Sequence, residues 1–385
     1  MAERNEALVK PALLLWARAA THTSLEDAAS SVGVPADRLI DWESGTSRPT
    51  VRQLRLLANK YHLPLAAFYL PEPPEYRLPR MRDYRSPVLG DPYEDRTLML
   101  EIRHAIELSS IAADLDPSGD FGVLSFPEIL QNQRNAATIG VRIREYLNLD
   151  LQVQKSWPDE RVAFNAMRTH AEAAGLLVLQ TSKVPIEQFR ALSLPDAPIP
   201  TILINRKDAY AGRTFSILHE ISHLMLRTPA ICSLQPETIT NEANRYTEIL
   251  CNASAAEALV PKQDFQKQVA ALPSENGTWS DSSLRSLARR YGCSREVILR
   301  RLLEVELTTQ EFYEQERQRF AEEFSKHKSK KNVVIPPPVD TLSRLGHRYI
   351  STVMAALDRG DITHNDFSDF TDLRLKHLED LRVQL

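Results

Sequence analysis

The stretch "FSILHEISHLML", Phe215–Leu226, decides the reading of this chain. Its apolar residues recur at helical spacing, yet His219, Glu220 and His223 stand in its middle. Ionisable groups in a helix bound for a core cost free energy unless each meets a partner. On a helix His219 and His223 lie about one turn apart on one face. Two imidazoles so placed can bind one Zn²⁺, and Glu220 beside them can act on water at the metal. Phe215, Leu218, Leu224 and Leu226 are the residues expected to hold the helix in the core.

A third ligand is needed. The candidates in and beside the next helix are Glu237, Glu242, Glu248 and Glu257. Glu248 stands in "TEILCNASAAEALVP", with Asn252 four residues later on the same helical face. That spacing lets Glu248 close the metal site while Asn252 holds the ring N–H of a ligand histidine. Ala253, Ser254, Ala255 and Ala256 are small enough for close packing against the histidine helix.

"RTFSILHEISHL" followed by "EILCNASAAEALVP" resembles the ImmA/IrrE family of bacterial and phage zinc metallopeptidases. "LSLPDAPIPTILINRKDAYAGRTF" is similar to that family's approach to its active-site helix. The resemblance covers about residues 130 to 305. It implies zinc held by His219, His223 and Glu248, with Glu220 as general base. The family usually carries an aromatic residue where this chain has Ser254, a packing change outside the ligand set. The implied reaction is peptide hydrolysis. Zinc activates water and polarises the scissile carbonyl, and Glu220 passes the water's proton to the leaving amine. An oxyanion partner is also required, for which Tyr210, Arg213 and Tyr246 are the candidates. The "TILIN" strand could offer an edge to an extended substrate.

"SLEDAASSVGVPADRLIDWESGTSRPTVRQLRLLANKY" resembles a Cro/repressor-type (XRE) helix–turn–helix, with Ala29, Gly33, Leu39, Trp42, Glu43, Gly45 and Pro49 at the positions that fold expects. Its recognition helix would present Ala36, Asp37 and Asp41 to a major groove. From Ser24 to Gly45, Arg38 is the lone cation against Glu26, Asp27, Asp37, Asp41 and Glu43. Such a surface repels phosphate, although Arg48, Arg52 and Arg55 offer some compensation. A docking module for a protein, including another helix–turn–helix protein, is the competing role. A basic counterpoint, "LRSLARRYGCSREVILRRL" (284–302), reads as helix–Gly–helix; it could serve as a free basic patch for nucleic acid or an acidic partner, and reads foremost as a packed part of the peptidase region with a solvated arginine face.

The fold class expected is mainly α with a small β-sheet (α+β). Its parts are a helix–turn–helix bundle over 1–72, a helical linker region over 73–125, a zincin-like metallopeptidase domain over 126–332 and a small helical extension over 333–385. "PEPPEYRLP" marks the first boundary, where helix cannot continue, and "VVIPPPVD" reads as a second linker. Two strands are expected, "LLVLQT" (176–181) and "TILIN" (201–205), with "LSLPDAPIP" between them as a loop and another loop from Thr228 to about Ile239. Helices are expected over "FPEILQNQRNAATIGVRIREYLNL" and "NEANRYTEILCNASAAEALV", the latter ended by Pro261.

Of the 385 residues, 43% are hydrophobic and 25% charged, and the net charge is −4, so any nucleic-acid contact must come from a local patch. Cys232, Cys251 and Cys293 are too few and too scattered for a disulfide framework or a cysteine zinc site, which fits a reducing cytoplasm. Cys251 reads as a small buried hydrophobe. The N-terminus lacks a signal-peptide apolar region, and no run is long enough to span a membrane.

The sequence therefore points to a cytoplasmic zinc endopeptidase acting on a regulatory protein, foremost a partner helix–turn–helix repressor. The alternatives are a DNA-binding regulator with a metal-binding sensor domain, or a toxin–antitoxin or phage-defence component acting by protein contact.

Overall fold

The computed structural model describes residues 6–21, 23–61, 63–73, 82–84, 95–116, 130, 132–228, 230–232, 239, 241–272, 276–327 and 335–385. The chain forms two compact units, one of Met1–Arg80 with Gly90–His104, the other of Met81–Leu89 with Ala105–Leu385.

The first unit contains α1 (Pro11–Ala20), α2 (Leu25–Val32), α3 (Ala36–Ser44) and α4 (Val51–Tyr61), then a 3-10 turn over Leu65–Tyr69. Ser24 caps α2 by accepting the Asp27 N–H at 3.1 Å. Gly33 (φ 70°) and Gly45 (φ 84°) end α2 and α3 in the left-handed region, which glycine enters without a Cβ clash. Leu39 and Trp42 of α3 bury against Ala28, Ala29, Leu54, Leu57, Tyr61 and Phe68. Glu43 turns inward, where its carboxylate takes two bonds from the Arg18 guanidinium at 2.7 and 2.9 Å. Removing Glu43 from the surface still leaves Asp37 and Asp41 on α3, with Arg38 3.8 Å from Asp41.

The second unit begins with β1 (Arg82–Tyr84). A long helix, α5 (Arg96–Asp114), contributes residues to both units. After it come α6 (Ala136–Tyr146), α7 (Leu151–Lys155), α8 (Glu160–Ala173), β2 (Leu177–Thr181), β3 (Ala191–Leu194), β4 (Thr201–Asn205), α9 (Tyr210–Leu226), β5 (Ala230–Cys232) and α10 (Glu242–Leu259). The helix expected from Phe126 onward starts only at Ala136, capped by Asn135 through the Thr138 N–H, and residues 117–129 lie outside the described set.

The strands form one mixed sheet in the order β1-β5-β3-β4-β2. β2 runs parallel to β4 from Leu177↔Thr201 to Thr181↔Asn205. β3 pairs antiparallel with both β4 and β5. Two segments read as loops are therefore strands: Leu192–Leu194 of "LSLPDAPIP" lie in β3, and β5 falls in the stretch after Thr228. β3 is four residues long and buried at every position, so it carries no alternating signature. The sheet also corrects the substrate-edge expectation. "TILIN" is β4, and its two edges are already paired with β3 and β2.

The core gathers Ile217, Leu218, Ile221 and Leu224 from α9, Leu250, Cys251 and Ala255 from α10, and Ile202 and Ile204 from β4, with Phe164 and Met167 of α8. α10 packs between α9 and α6. Gly140 makes the α6 approach possible, because a Cβ there would stand 2.7 Å from the Glu257 Cβ and 3.0 Å from the Ala258 backbone nitrogen. Gly140→Ala should thus lose more in overpacking than it gains in helix propensity, for a net destabilisation of about 1 to 2 kcal/mol. A shift in the chemical-denaturation midpoint measures it, and a stabilised variant would contradict the packing. The far end of α10 is held by polar groups. Arg144 donates to Ala258 O at 2.8 Å and to Gln154 Oε1 at 2.7 Å, and Gln154 donates to Leu259 O at 2.8 Å.

Further along lie α11 (Lys262–Val269), α12 (Asp281–Tyr291), α13 (Arg295–Glu304) and α14 (Gln310–His327). Several arginines of the basic stretch are engaged within the unit. Asp281 accepts from Arg285, Arg295 and Arg319, while Arg301 is buried against Glu257 and Glu304. This is the packed-face reading rather than a free basic patch.

The last helices are α15 (Pro337–Leu345), α16 (His347–Arg359), α17 (His364–Thr371) and α18 (Leu378–Arg382). "VVIPPPVD" is not simply a linker, because Pro336 caps α15 and Pro337 opens it, a position where the missing N–H is no loss. Buried Arg168 of α8 ties this tail to the sheet. Its guanidinium donates to Glu172 Oε1 at 2.8 Å, to Ser343 O at 2.7 Å and to the β2 carbonyl of Val178.

Candidate metal centre

α9 begins after the turn that follows β4, and Arg213 fixes that turn. Its Nε donates to Asp208 O at 2.8 Å, one Nη to Gln180 Oε1 at 3.1 Å and the other to Arg206 O. From this anchored start, His219, Glu220 and His223 fall on a stretch of α9 buried from Ser216 to Leu226. α10, capped by Asn241 through the Asn244 N–H, brings a fully buried Glu248 against them.

The three side chains converge. His219 Nε2 lies 3.0 Å from His223 Nε2, and the Glu248 oxygens lie 3.4 Å from the first and 3.3 Å from the second. A tetrahedral zinc with ligand bonds near 2.0–2.1 Å separates its ligands by about 3.3 Å. The three observed distances bracket that value. Among the described residues, His219, His223 and Glu248 are the one group of three or more such side chains placed to hold a metal ion. Burial works to raise the Glu248 carboxyl, but the charge and hydrogen bonds of His219 and His223 outweigh it and hold it at about 2. Glu248 is therefore a carboxylate at neutral pH, which is the form a metal takes. Two imidazoles and a carboxylate, all fully buried, form a donor set suited to zinc and expensive to bury for packing alone.

Glu220 is also fully buried, and it lies outside the ligand trio. Burial, then the negative charges of Glu248 and Glu220, push the Cys251 thiol well above its ordinary value. Both carboxylates thus bear on the same part of α10. Cys251 stays a protonated, buried residue, as its place in the sequence implied.

The second-layer expectation needs correction. Asn252 was expected on a histidine ring, but the neighbours of His223 Nδ1 are Thr228 Oγ1 at 3.2 Å and Cys251 Sγ at 3.5 Å. The α10 face turned to that ring is the one carrying Cys251. Thr228 lies just past the end of α9, where no spacing rule within one helix could find it. The three oxyanion candidates are not brought to the ligands either. Arg213 is committed to the turn described above. Tyr210 lies nine residues before His219, about 13 Å of helix rise away, and packs under Arg213 and against Phe164. Tyr246 is half exposed and two residues from Glu248, a separation that puts side chains on different faces of a helix. Glu242 and Glu257, the other described glutamates of α10, are outside the trio, and Glu237 lies outside the described residues.

Among the described residues, no helix is long and apolar enough to cross a membrane. No curated protein matches the chain. Residues 171–303 match the family model of the IrrE N-terminal-like domain, a peptidase family, and this span contains β2 to β5, α9 and α10 with the whole ligand trio. Residues 14–68 match a helix–turn–helix family model, which spans the first unit's helices from within α1 to the 3-10 turn. The chain thus carries an IrrE/ImmA-like peptidase-family domain, preceded by an XRE-type helix–turn–helix.

Proposed function

We propose that this protein is a zinc-dependent endopeptidase that cuts an intracellular regulatory protein, foremost a partner helix–turn–helix repressor. The observation that carries the reading is the convergence of His219, His223 and Glu248 within 3.4 Å of one another, beside a buried Glu220 that is not a ligand. The peptidase-family match over the same residues supports it.

His219, His223 and Glu248 would hold the metal. A zinc ion so held supplies Lewis acidity, which activates water and polarises a carbonyl. The remaining work belongs to the chain. Glu220, adjacent to the first ligand, receives the proton of the attacking water and delivers it to the departing amine nitrogen. The buried wall of α9 and α10 keeps other water away and strengthens the charge interactions within. The zinc content of the purified chain, set beside its cleavage of whatever helix–turn–helix repressor a neighbouring gene encodes, tests the reading. A chain that takes up no zinc, or that takes it up and cuts nothing, contradicts it.

The helix–turn–helix match favours a second reading, DNA binding by the first unit. The surface of α3 argues for protein docking instead, since Asp37 is exposed at the end that would enter a major groove and Asp41 follows one turn later. A gel-shift titration on operator-like duplexes at two salt concentrations separates the two. The docking role predicts dissociation constants no tighter than about 10⁻⁶ M, the range of non-specific contact. Tight, salt-sensitive binding would establish the DNA reading.

A further inference from the structure

The His223 ring is held on both edges. Its Nε2 faces His219 Nε2 and Glu248 Oε2, so Nε2 is the atom turned toward the metal position. An imidazole offering its Nε2 lone pair carries its proton on Nδ1. That Nδ1 lies 3.2 Å from Thr228 Oγ1, a good acceptor, and 3.5 Å from Cys251 Sγ, a poor one.

The end of α9 sets where Thr228 stands. Arg227 adopts the left-handed conformation (φ 54°) and donates its N–H to Leu224 O at 3.2 Å, while the Thr228 N–H reaches back to His223 O at 3.0 Å. This pair of bonds is the Schellman pattern of a helix C-terminus. Thr228 is therefore tied to His223 twice, through the backbone carbonyl and through the ring. The other ligand histidine differs, because His219 Nδ1 has no hydrogen-bond partner among the described residues.

We propose that Thr228 is a positioning residue for the metal centre: its hydroxyl accepts the Nδ1–H of His223, selects the tautomer that leaves Nε2 for the metal, and fixes the rotation of the ring. The inference rests on the metal-site reading above and adds to it a specific outer partner, supplied by the helix cap rather than by α10. The ring orientation of one ligand is thereby coupled to the way α9 ends.

The test uses the full chain with zinc alone as the probe, in competition with a chromophoric chelator. Thr228→Val keeps the side-chain shape and removes the acceptor, so zinc affinity should fall about 10- to 100-fold, the usual effect of losing an outer partner of a ligand histidine. Thr228→Ser restores the hydroxyl and should bind within about threefold of wild type, as should Cys251→Ala. Circular dichroism and melting of the zinc-free variants check that each is folded. Wild-type zinc binding with Thr228→Val within about twofold of it overturns the inference, and so does a loss in Thr228→Val that Thr228→Ser fails to rescue. A wild-type chain that binds no zinc removes the metal-site reading itself, and this inference with it.

Discussion

Glu220→Gln should keep its full complement of zinc and lose about 10²- to 10⁴-fold in peptide cleavage, the range that a positioned general base contributes. The substitution is close to isosteric, which matters because Glu220 is fully buried on a helix whose neighbours fill the core. A larger or smaller residue would confound the chemistry with packing. Glu220 is not among the three side chains that converge on the metal position, so the ligand set survives the change. The loss should fall on kcat and on kcat/KM equally, because the amide cannot take a proton in the transition state yet leaves substrate contacts in place. Zinc retained with activity within about threefold of wild type would remove Glu220 from the base role. Zinc lost together with activity would mean that the buried carboxylate supports the ligands and that its catalytic role is unproven.

The parts of this architecture that follow a period were legible in the sequence. α9 carries its two histidines at i, i+4 spacing, and the limits of α10, Asn241 at one end and Pro261 beyond the other, stand in plain view. The turns at Gly33 and Gly45 are visible for the same reason, since left-handed positions select glycine. What escaped reading is what depends on pairing across the chain. β3 and β5 owe their existence to neighbours far along the sequence, and β3, buried at every position, shows no alternation. Asn252 looked like the partner of a ligand ring because it shares a helical face with Glu248, but helix spacing alone does not say which flank of α10 meets His223. The flank bearing Cys251 does, and the stronger acceptor comes from Thr228 after a non-glycine left-handed cap at Arg227, a conformation the sequence does not advertise. Arg213 failed as an oxyanion donor for a related reason. A lone arginine at a helix start can serve a substrate or a turn, and only three specified carbonyl partners reveal that it serves the turn.

Glu248→Ala should abolish tight zinc binding while leaving a folded chain, and thermal melting is the sensitive readout. A ligand that binds the folded state alone stabilises it by an amount set by its concentration relative to Kd, about 4 kcal/mol at a thousandfold excess. Zinc should therefore raise the melting temperature of wild type by several degrees, and a chelator should reverse the rise. In Glu248→Ala the site keeps His219 and His223 but loses the carboxylate that lies 3.4 and 3.3 Å from their Nε2 atoms. If the third ligand is worth at least a hundredfold in affinity, about 2.7 kcal/mol of that stabilisation disappears at the same zinc concentration. The zinc-free variant should not be more stable than zinc-free wild type, because the two ring nitrogens, 3.0 Å apart, are left buried without the acceptor between them. Glu248→Gln distinguishes charge from shape. It preserves side-chain volume and one acceptor oxygen, but an amide is a poor zinc ligand, so it should resemble the alanine variant in zinc response. A Glu248→Ala chain whose melting temperature still climbs with zinc as wild type does would show that the third ligand lies elsewhere. Glu242 and Glu257 on the same helix would then be the first positions to substitute.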